Sequence, residues 1–312
     1  MSKLISTRAG FGKGMTALAR ERDDVLMTAA DTYRSFALND FVAEFPNRYF
    51  EFGIAEQNML TASAAMASEG NVIFSVGYSA FLSMRALEQM RTFIAYPKLN
   101  VKVVAGLAGL SGNTDGVTHQ GTEDIPIVRS LPNFSILSPA DAVAAEKLVR
   151  IAAEVPGPVY IRLGRDATPV IYDEQREFVF GKAVKVRNYG TQLTIIATGV
   201  CVCEAVQAAD KLADSGICVQ VLDMHTIKPI DVESILQAAD ESGRIITVED
   251  GAITGGLGGA VAEVLADAGK VPVYFKRMGL TTFGTSGTVP ELLALFSIDA
   301  DAIEAEVIKA LG

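Results

Sequence analysis

Short apolar, β-branched runs alternate along this chain with segments of helical period. That alternation points to a parallel sheet with helices on both faces, because strands buried on both sides read as continuous apolar runs. Candidate strands are Val25–Ala29, Tyr49–Phe52, Val72–Val76, Val101–Val104, Phe134–Leu137 and Val159–Leu163. Helical periodicity falls between them at Ala55–Ser68, Arg85–Ala95 and Ala140–Glu154. From Pro169 to about Gly190 the pattern breaks into a polar stretch carrying Lys182, Lys185 and Arg187, with a turn signal at Asn188-Tyr189-Gly190. It resumes at Leu193–Ala197. It then runs through helix Glu204–Ser215, strand Val219–Leu222, helix Val232–Glu241, strand Ile245–Val248, helix Gly258–Ala266 and strand Val271–Phe275. The expected fold is α/β, with two consecutive α/β domains: residues 1–170, a linker over 171–191, and a smaller domain over 192–312.

Composition narrows the function classes. The 312 residues are 49% apolar and 21% charged, which suits two buried cores and not a disordered chain. A formal charge of −10 argues against nucleic acid and anionic membranes as partners. No apolar run reaches the roughly 18 residues of a membrane span. The interrupted start Met1-Ser2-Lys3-Leu4-Ile5 is not a signal-peptide pattern. Three cysteines, Cys201, Cys203 and Cys218, are too few for a disulfide framework and fit a reducing, cytoplasmic setting. Cys201-Val-Cys203 lacks the spacing and the nearby histidine of a metal site, so no metal ligands are expected in this chain.

Three clusters follow strands of the first domain, at the carboxyl ends where ligands of open α/β sheets bind. Gly53-Ile-Ala-Glu56-Gln57 places Glu56 at a strand-to-helix junction, where unpaired N–H groups welcome a carboxylate. An ordinary first-turn glutamate would look the same. Tyr78, Phe81 and Met84 fall roughly on one side of the next junction, as a core stripe also would. Asp115-Gly-Val-Thr-His119-Gln120 lies in a Gly-rich loop and holds one of the two histidines, as a site residue or a structural one. In the second domain, Gly255-Gly-Leu-Gly-Gly259 precedes a helix but lacks the dinucleotide spacing, so close helix–strand packing is the simpler reading. His225 reads as a capping or packing residue.

In this order and spacing, Gly-Ile-Ala-Glu-Gln, aromatic-x-x-Phe and Asp-Gly-x-Thr-His-Gln resemble the pyrimidine-binding domain of transketolases. Asp223-Met-His-Thr-Ile-Lys-Pro-Ile-Asp231 and Gly255–Gly259 resemble that family's C-terminal domain, so the resemblance covers the whole chain. It implies thiamine diphosphate as cofactor, and transfer of a two-carbon ketol unit from a ketose or its phosphate to an aldose or its phosphate. Glu56 matches the glutamate that meets N1′ of the aminopyrimidine and activates the cofactor. Tyr78 and Phe81 match positions flanking the pyrimidine, Met84 a third that is often Tyr or Arg, and Asp31 an acidic residue near the cofactor. Asp115 and His119 match residues holding the donor sugar, His119 with a catalytic role. Arg165 matches an arginine for substrate phosphate, and Arg162 fits a structural role. The family commonly carries another histidine where this chain reads Ala105–Leu110, and its lack points to a different or unphosphorylated sugar.

The family's Gly-Asp-Gly…Asn motif for the diphosphate and its divalent ion has no counterpart here, and Asp250-Gly251 stands alone. The implied arrangement is a split enzyme. An N-terminal, diphosphate-binding subunit would hold magnesium or calcium, and two copies of each subunit would assemble into a heterotetramer. A fragment of a longer chain is the other explanation. Competing activities are a 1-deoxyxylulose-5-phosphate synthase-like condensation, a 2-oxo acid dehydrogenase β-like subunit, and a regulatory subunit without catalysis.

Overall fold

The computed structural model describes residues 3–312; Met1 and Ser2, where the amino-terminal pattern begins, lie outside the described residues. The chain opens with β1 (Leu4–Ser6) and α1 (Thr7–Glu21). It continues through β2 (Val25–Ala29), α2 (Asn39–Glu44), β3 (Tyr49–Glu51), α3 (Glu56–Ser68) and β4 (Val72–Tyr78). Next come the single turn α4 (Leu87–Gln89), β5 (Val101–Gly106), α5 (Asp124–Ser130), β6 (Ser135–Leu137), α6 (Ala142–Glu154), β7 (Val159–Arg162) and β8 (Ala167–Pro169). The second half holds β9 (Val184–Asn188), β10 (Thr194–Ala197), α7 (Cys201–Asp214), β11 (Gln220–Asp223), β12 (Thr226–Lys228), α8 (Val232–Ser242) and β13 (Arg244–Ala252). It ends with α9 (Leu257–Asp267), β14 (Tyr274–Leu280), α10 (Val289–Leu295) and α11 (Ala300–Leu311).

The expected pair of α/β units is present. A seven-stranded sheet has order β12-β6-β7-β5-β4-β2-β3, and a five-stranded sheet has order β14-β13-β10-β11-β9. Both are parallel except at one edge each, where β12 and β9 run antiparallel. Strand order reverses at β2, which has β3 on one side and β4 on the other, and such a switch opens a crevice at the carboxyl ends.

Several elements differ from the expectation. Strand β9 lies inside the stretch read as linker; its alternate residues, Val184 and Val186, pack on the apolar cluster shared by the two units while Lys185 faces out. Strand β12, read with the second unit, pairs with β6 and extends the first sheet. The last strand runs Tyr274–Leu280 rather than Val271–Phe275, and Val271 and Val273 are exposed. The helix read as Arg85–Ala95 is broken by wide turns over Phe81–Arg85 and Met90–Ala95, on either side of α4. Helix α1 was not anticipated because its Gly10-Phe-Gly12-Lys-Gly14 stretch has low helix propensity. Those glycines face partners: a Cβ on Gly10 would run into the Ala142 carbonyl of α6. Ser6 caps α1 by accepting from the Ala9 N–H at 3.2 Å.

One apolar cluster runs from Phe11 in α1 through Val104 and Ile161 to Ile195, Val248 and Val307, so the two units share a core. A buried ion network also joins them. Arg162 at the end of β7 donates to Asp124 at 3.1 Å and to Asp250 of β13 at 2.6 Å. Burial works against the Arg162 charge, and the two carboxylates outweigh it and hold the guanidinium above its ordinary value. Arg162 is thereby buried between carboxylates of both units. No helix is long and apolar enough to cross a membrane among the described residues.

Candidate active site

Glu56 is the first residue of α3 and is 2% exposed. The turn before it is held by Glu51, whose Oε1 accepts from the backbone N–H groups of Asp31 (2.8 Å), Phe52 (3.0 Å) and Gly53 (2.8 Å). One carboxylate thus ties the ends of β2 and β3 together just ahead of Glu56. Oε2 of Glu56 accepts from Arg85 Nη1 at 2.7 Å, and Oε1 accepts no hydrogen bond among the described residues. Arg85 in turn lies over the Phe81 ring, 4.4 Å from its centroid.

Three rings gather beside this pair. Tyr78 ends β4, and its centroid is 6.2 Å from Phe81 and 6.3 Å from His119; Phe81 and His119 are 5.3 Å apart, edge to face. The His119 loop is pressed against the Phe81 segment at Gly121, where any Cβ would meet the Ser79 hydroxyl. Ser79 is buried and hydrogen-bonded to Asp124 at 3.0 Å, so the Arg162 network stands directly behind the rings. Thr118 Oγ1 lies 2.9 Å from His119 Nδ1.

A second cluster adjoins the first. Tyr78 Oη and Ser35 Oγ are 3.1 Å apart. Arg165 Nη1 donates to Asp115 Oδ2 at 2.6 Å. Arg8 of α1 donates Nη2 to the Arg165 carbonyl at 3.0 Å, has no acidic partner among the described residues, and leaves its buried Nε unbonded. Burial and the neighbouring Arg165 charge push Arg8 below its ordinary value. Arg8 thus brings a second positive charge with an orphaned donor beside Arg165, whose own charge is paired with Asp115.

The structure therefore gathers Glu56, Tyr78, Phe81 and His119, and beside them Asp115 and Arg165. Met84 shares a cavity wall with Phe81 and is partly open to solvent. It is 44% exposed and lines an open cavity of ≈ 390 Å³ with Arg85, Val117 and Phe283. Asp31 is exposed in a left-handed conformation (φ 56°) and joins the site only through its backbone N–H on Glu51. Arg8, Glu51 and Arg85 escaped the sequence reading. Arg8 lies on the helix that the sequence pattern does not reveal, and Arg85 meets Glu56 across 29 positions of chain, where no local pattern carries a signal. The glycine run Gly255–Gly259 is filled from within: Glu249 accepts from the Leu257 and Gly258 N–H groups at 2.8 Å each. Burial pushes that carboxyl up to about 7, and the helix start is no dinucleotide site.

The family model described as the transketolase pyrimidine-binding domain matches residues 3–170, and that of the transketolase C-terminal domain matches residues 181–303. The chain belongs to the transketolase family. It is 41% identical to a putative transketolase C-terminal section of Methanocaldococcus jannaschii, covering 97% of this chain and 96% of that one. It is 39% identical to an apulose-4-phosphate transketolase subunit of Phocaeicola vulgatus, with the same shares, 97% and 96%. Among solved structures, a split-gene transketolase described as an inactive β4 tetramer superposes with a TM-score of 0.89 at 36% identity, over 98% of each chain. For thiamine diphosphate, the family's cofactor, the donor set fits at one end: a buried carboxylate with one open oxygen, beside three rings, suits a flat aminopyrimidine. No cluster of three metal-type side chains occurs among the described residues.

Proposed function

We propose that this chain is the pyrimidine-domain subunit of a split transketolase, transferring a two-carbon ketol unit from a ketose to an aldose. The observation that carries the reading is the buried Glu56 carboxylate beside the Tyr78, Phe81 and His119 rings, at the carboxyl ends of the first sheet. Bound thiamine diphosphate supplies a stabilised carbanion, chemistry that protein side chains lack. Glu56 is the group that holds or shares a proton at the aminopyrimidine ring nitrogen. Tyr78 and Phe81 bound that ring and exclude water, Met84 extends the wall outward, and Asp31 borders the cofactor. Asp115 and His119 hold the sugar's hydroxyls and carbonyl, with His119 placed to exchange a proton there. Arg165, with Arg8 beside it, takes an anionic terminus on the sugar. That pair favours a phosphorylated or otherwise anionic substrate despite the missing histidine near Ala105, in keeping with the sugar phosphate in the Phocaeicola relative's name.

The diphosphate and its magnesium or calcium ion would be held mainly by a second, N-terminal subunit, with two copies of each chain in the assembly. The domain division proposed is residues 1–170 for the first unit, with the second taking in β9 ahead of residue 192, and the cysteines support a cytoplasmic setting. The deciding experiment is Glu56→Gln, assayed for ketol transfer with the partner subunit present. Turnover should fall by about 10²–10⁴-fold, the range for a group that moves protons in the transition state. Unchanged turnover would remove Glu56 from the chemistry and leave a regulatory subunit as the better reading.

A further inference from the structure

Glu56 presents two oxygens to two different environments. Oε2 is taken by Arg85 Nη1 at 2.7 Å, while Oε1 accepts nothing among the described residues. The side chains differ in exposure, 3% for Glu56 against 45% for Arg85, so the cation reaches in from the surface toward a buried anion. A carboxylate buried this far needs a partner, since an unpaired one costs several kcal/mol. Among the described residues Arg85 is the one ion-pair partner of Glu56.

Over Phe81–Arg85 the helix opens into a wide turn, with the Ala86 N–H donating to the Phe81 carbonyl five residues back at 3.2 Å. Turns of this kind are uncommon and concentrate at functional sites. Phe81 and Arg85, four residues apart, lie on one side, with the guanidinium over the ring at 4.4 Å and its edge on Glu56. Met84, which regular spacing puts in the third position, is 44% exposed.

On the reading proposed above, we propose that Arg85 is a positioning residue for Glu56. It fixes Oε2 and leaves Oε1 as the oxygen that meets the cofactor's ring nitrogen. Arg85 touches neither sugar nor reacting atoms in this arrangement; it acts through Glu56.

The test is a double-mutant cycle between Arg85→Met and Glu56→Gln, with Arg85→Lys as the conservative variant. In the chain alone, urea unfolding measures whether the pair exists. The loss caused by Arg85→Met should shrink to near zero in the Glu56→Gln background, and equal losses in both backgrounds would overturn the pairing. In the complex with the diphosphate-binding subunit, calorimetry measures the dissociation constant for thiamine diphosphate. Arg85→Met should weaken it about tenfold, corresponding to about 1.4 kcal/mol. Arg85→Lys should recover most of that loss, and Arg85→Met on Glu56→Gln should change it less than twofold. The sugar KM should stay within twofold while kcat falls. Cofactor affinity unchanged in Arg85→Met, or weakened equally in both backgrounds, would sink the role. An Arg85→Met chain that fails to fold or assemble while Arg85→Lys matches the parent in affinity and kcat supports the charge-pairing part; a Lys variant as impaired as the Met one overturns it. Glu56→Gln alone separates the two claims: if it leaves cofactor affinity and turnover intact, the functional reading fails, not merely the role of Arg85.

Discussion

Glu56 occupies the first position of a helix, where a carboxylate is ordinary, and its neighbours are what distinguish it. The same holds for Asp223 in the second unit. Its side chain is wholly buried, accepts from the Tyr172 hydroxyl at 2.6 Å through Oδ2, and leaves Oδ1 without a partner. Burial pushes its carboxyl up to about 8. In the unfolded chain an aspartate ionises near about 3.9. The native state therefore holds its proton longer, and stability is lost as pH rises from about 4 toward 8. Asparagine keeps the acceptor and cannot ionise. Asp223→Asn should raise the unfolding free energy by about 1–3 kcal/mol at pH 8, and by less at pH 5. A stability difference that does not grow with pH, measured by urea titration at both values, would contradict the assignment. His225, two residues on, runs the other way: burial brings it down to about 4, so it is neutral in the native state at neutral pH. Neither shift is readable from the motif around Asp223 and His225, because both depend on Tyr172 and Phe178 folding over them.

At the scale of elements, the strands announced themselves and the close contacts did not. Largely apolar runs such as Val72–Val76 and Val101–Val104, broken only by Ser75 and Lys102, fit buried strands or helix interiors, and their length and branching decide between the two. Helix α1 shows where that logic fails. Its glycines lower propensity locally, and their benefit lies across space in the packing on α6. Gly10→Ala puts a methyl into the Ala142 carbonyl, forcing the helices apart, and should cost about 1–3 kcal/mol as overpacking does. An unfolding midpoint within error of the parent would show that α1 does not seat this tightly. Arg8 rides on that helix, so the same variant should also disturb its place beside Arg165. The wide turn after β4 is the second failure of pattern. A helical face takes residues three or four apart, so spacing alone does not choose between Met84 and Arg85, and in the fold it is Arg85 that meets Glu56.

At the scale of the molecule, the two sheets are not independent. β12 from the second half completes the edge of the first sheet, and Arg162 bridges Asp124 and Asp250 across the junction. The loop carrying Asp115 and His119 is clamped there too: the Ala252 N–H donates to the Thr122 carbonyl at 2.8 Å, and Gln120 donates to the Thr285 carbonyl at 2.8 Å. The second unit thereby holds the sugar-facing loop of the first. Two exposed apolar residues stand near the site: Ile54, two positions before Glu56, at 73%, and Phe283, which shares a cavity with Phe81 and Arg85, at 71%. Such a surface is suited to burial against another chain. The chain by itself should show no measurable ketol transfer with thiamine diphosphate and magnesium, and adding the diphosphate-binding subunit should restore it. Turnover by the purified chain alone would end the split-enzyme proposal.

The alternation of apolar runs settled by itself that this would be two consecutive α/β units, because hydrophobic period is a local property that burial enforces in every such chain. The motif order settled the family. What only the tertiary structure decided is which residues meet: Arg85 with Glu56, Arg8 with Arg165, Glu51 with three amides of the turn, Arg162 with carboxylates from both units. These contacts join residues from 1 to 157 positions apart, and periodicity carries no signal for them. They exist because parallel strands bring their carboxyl ends to one edge, and close packing then leaves each charged group the partners within its reach.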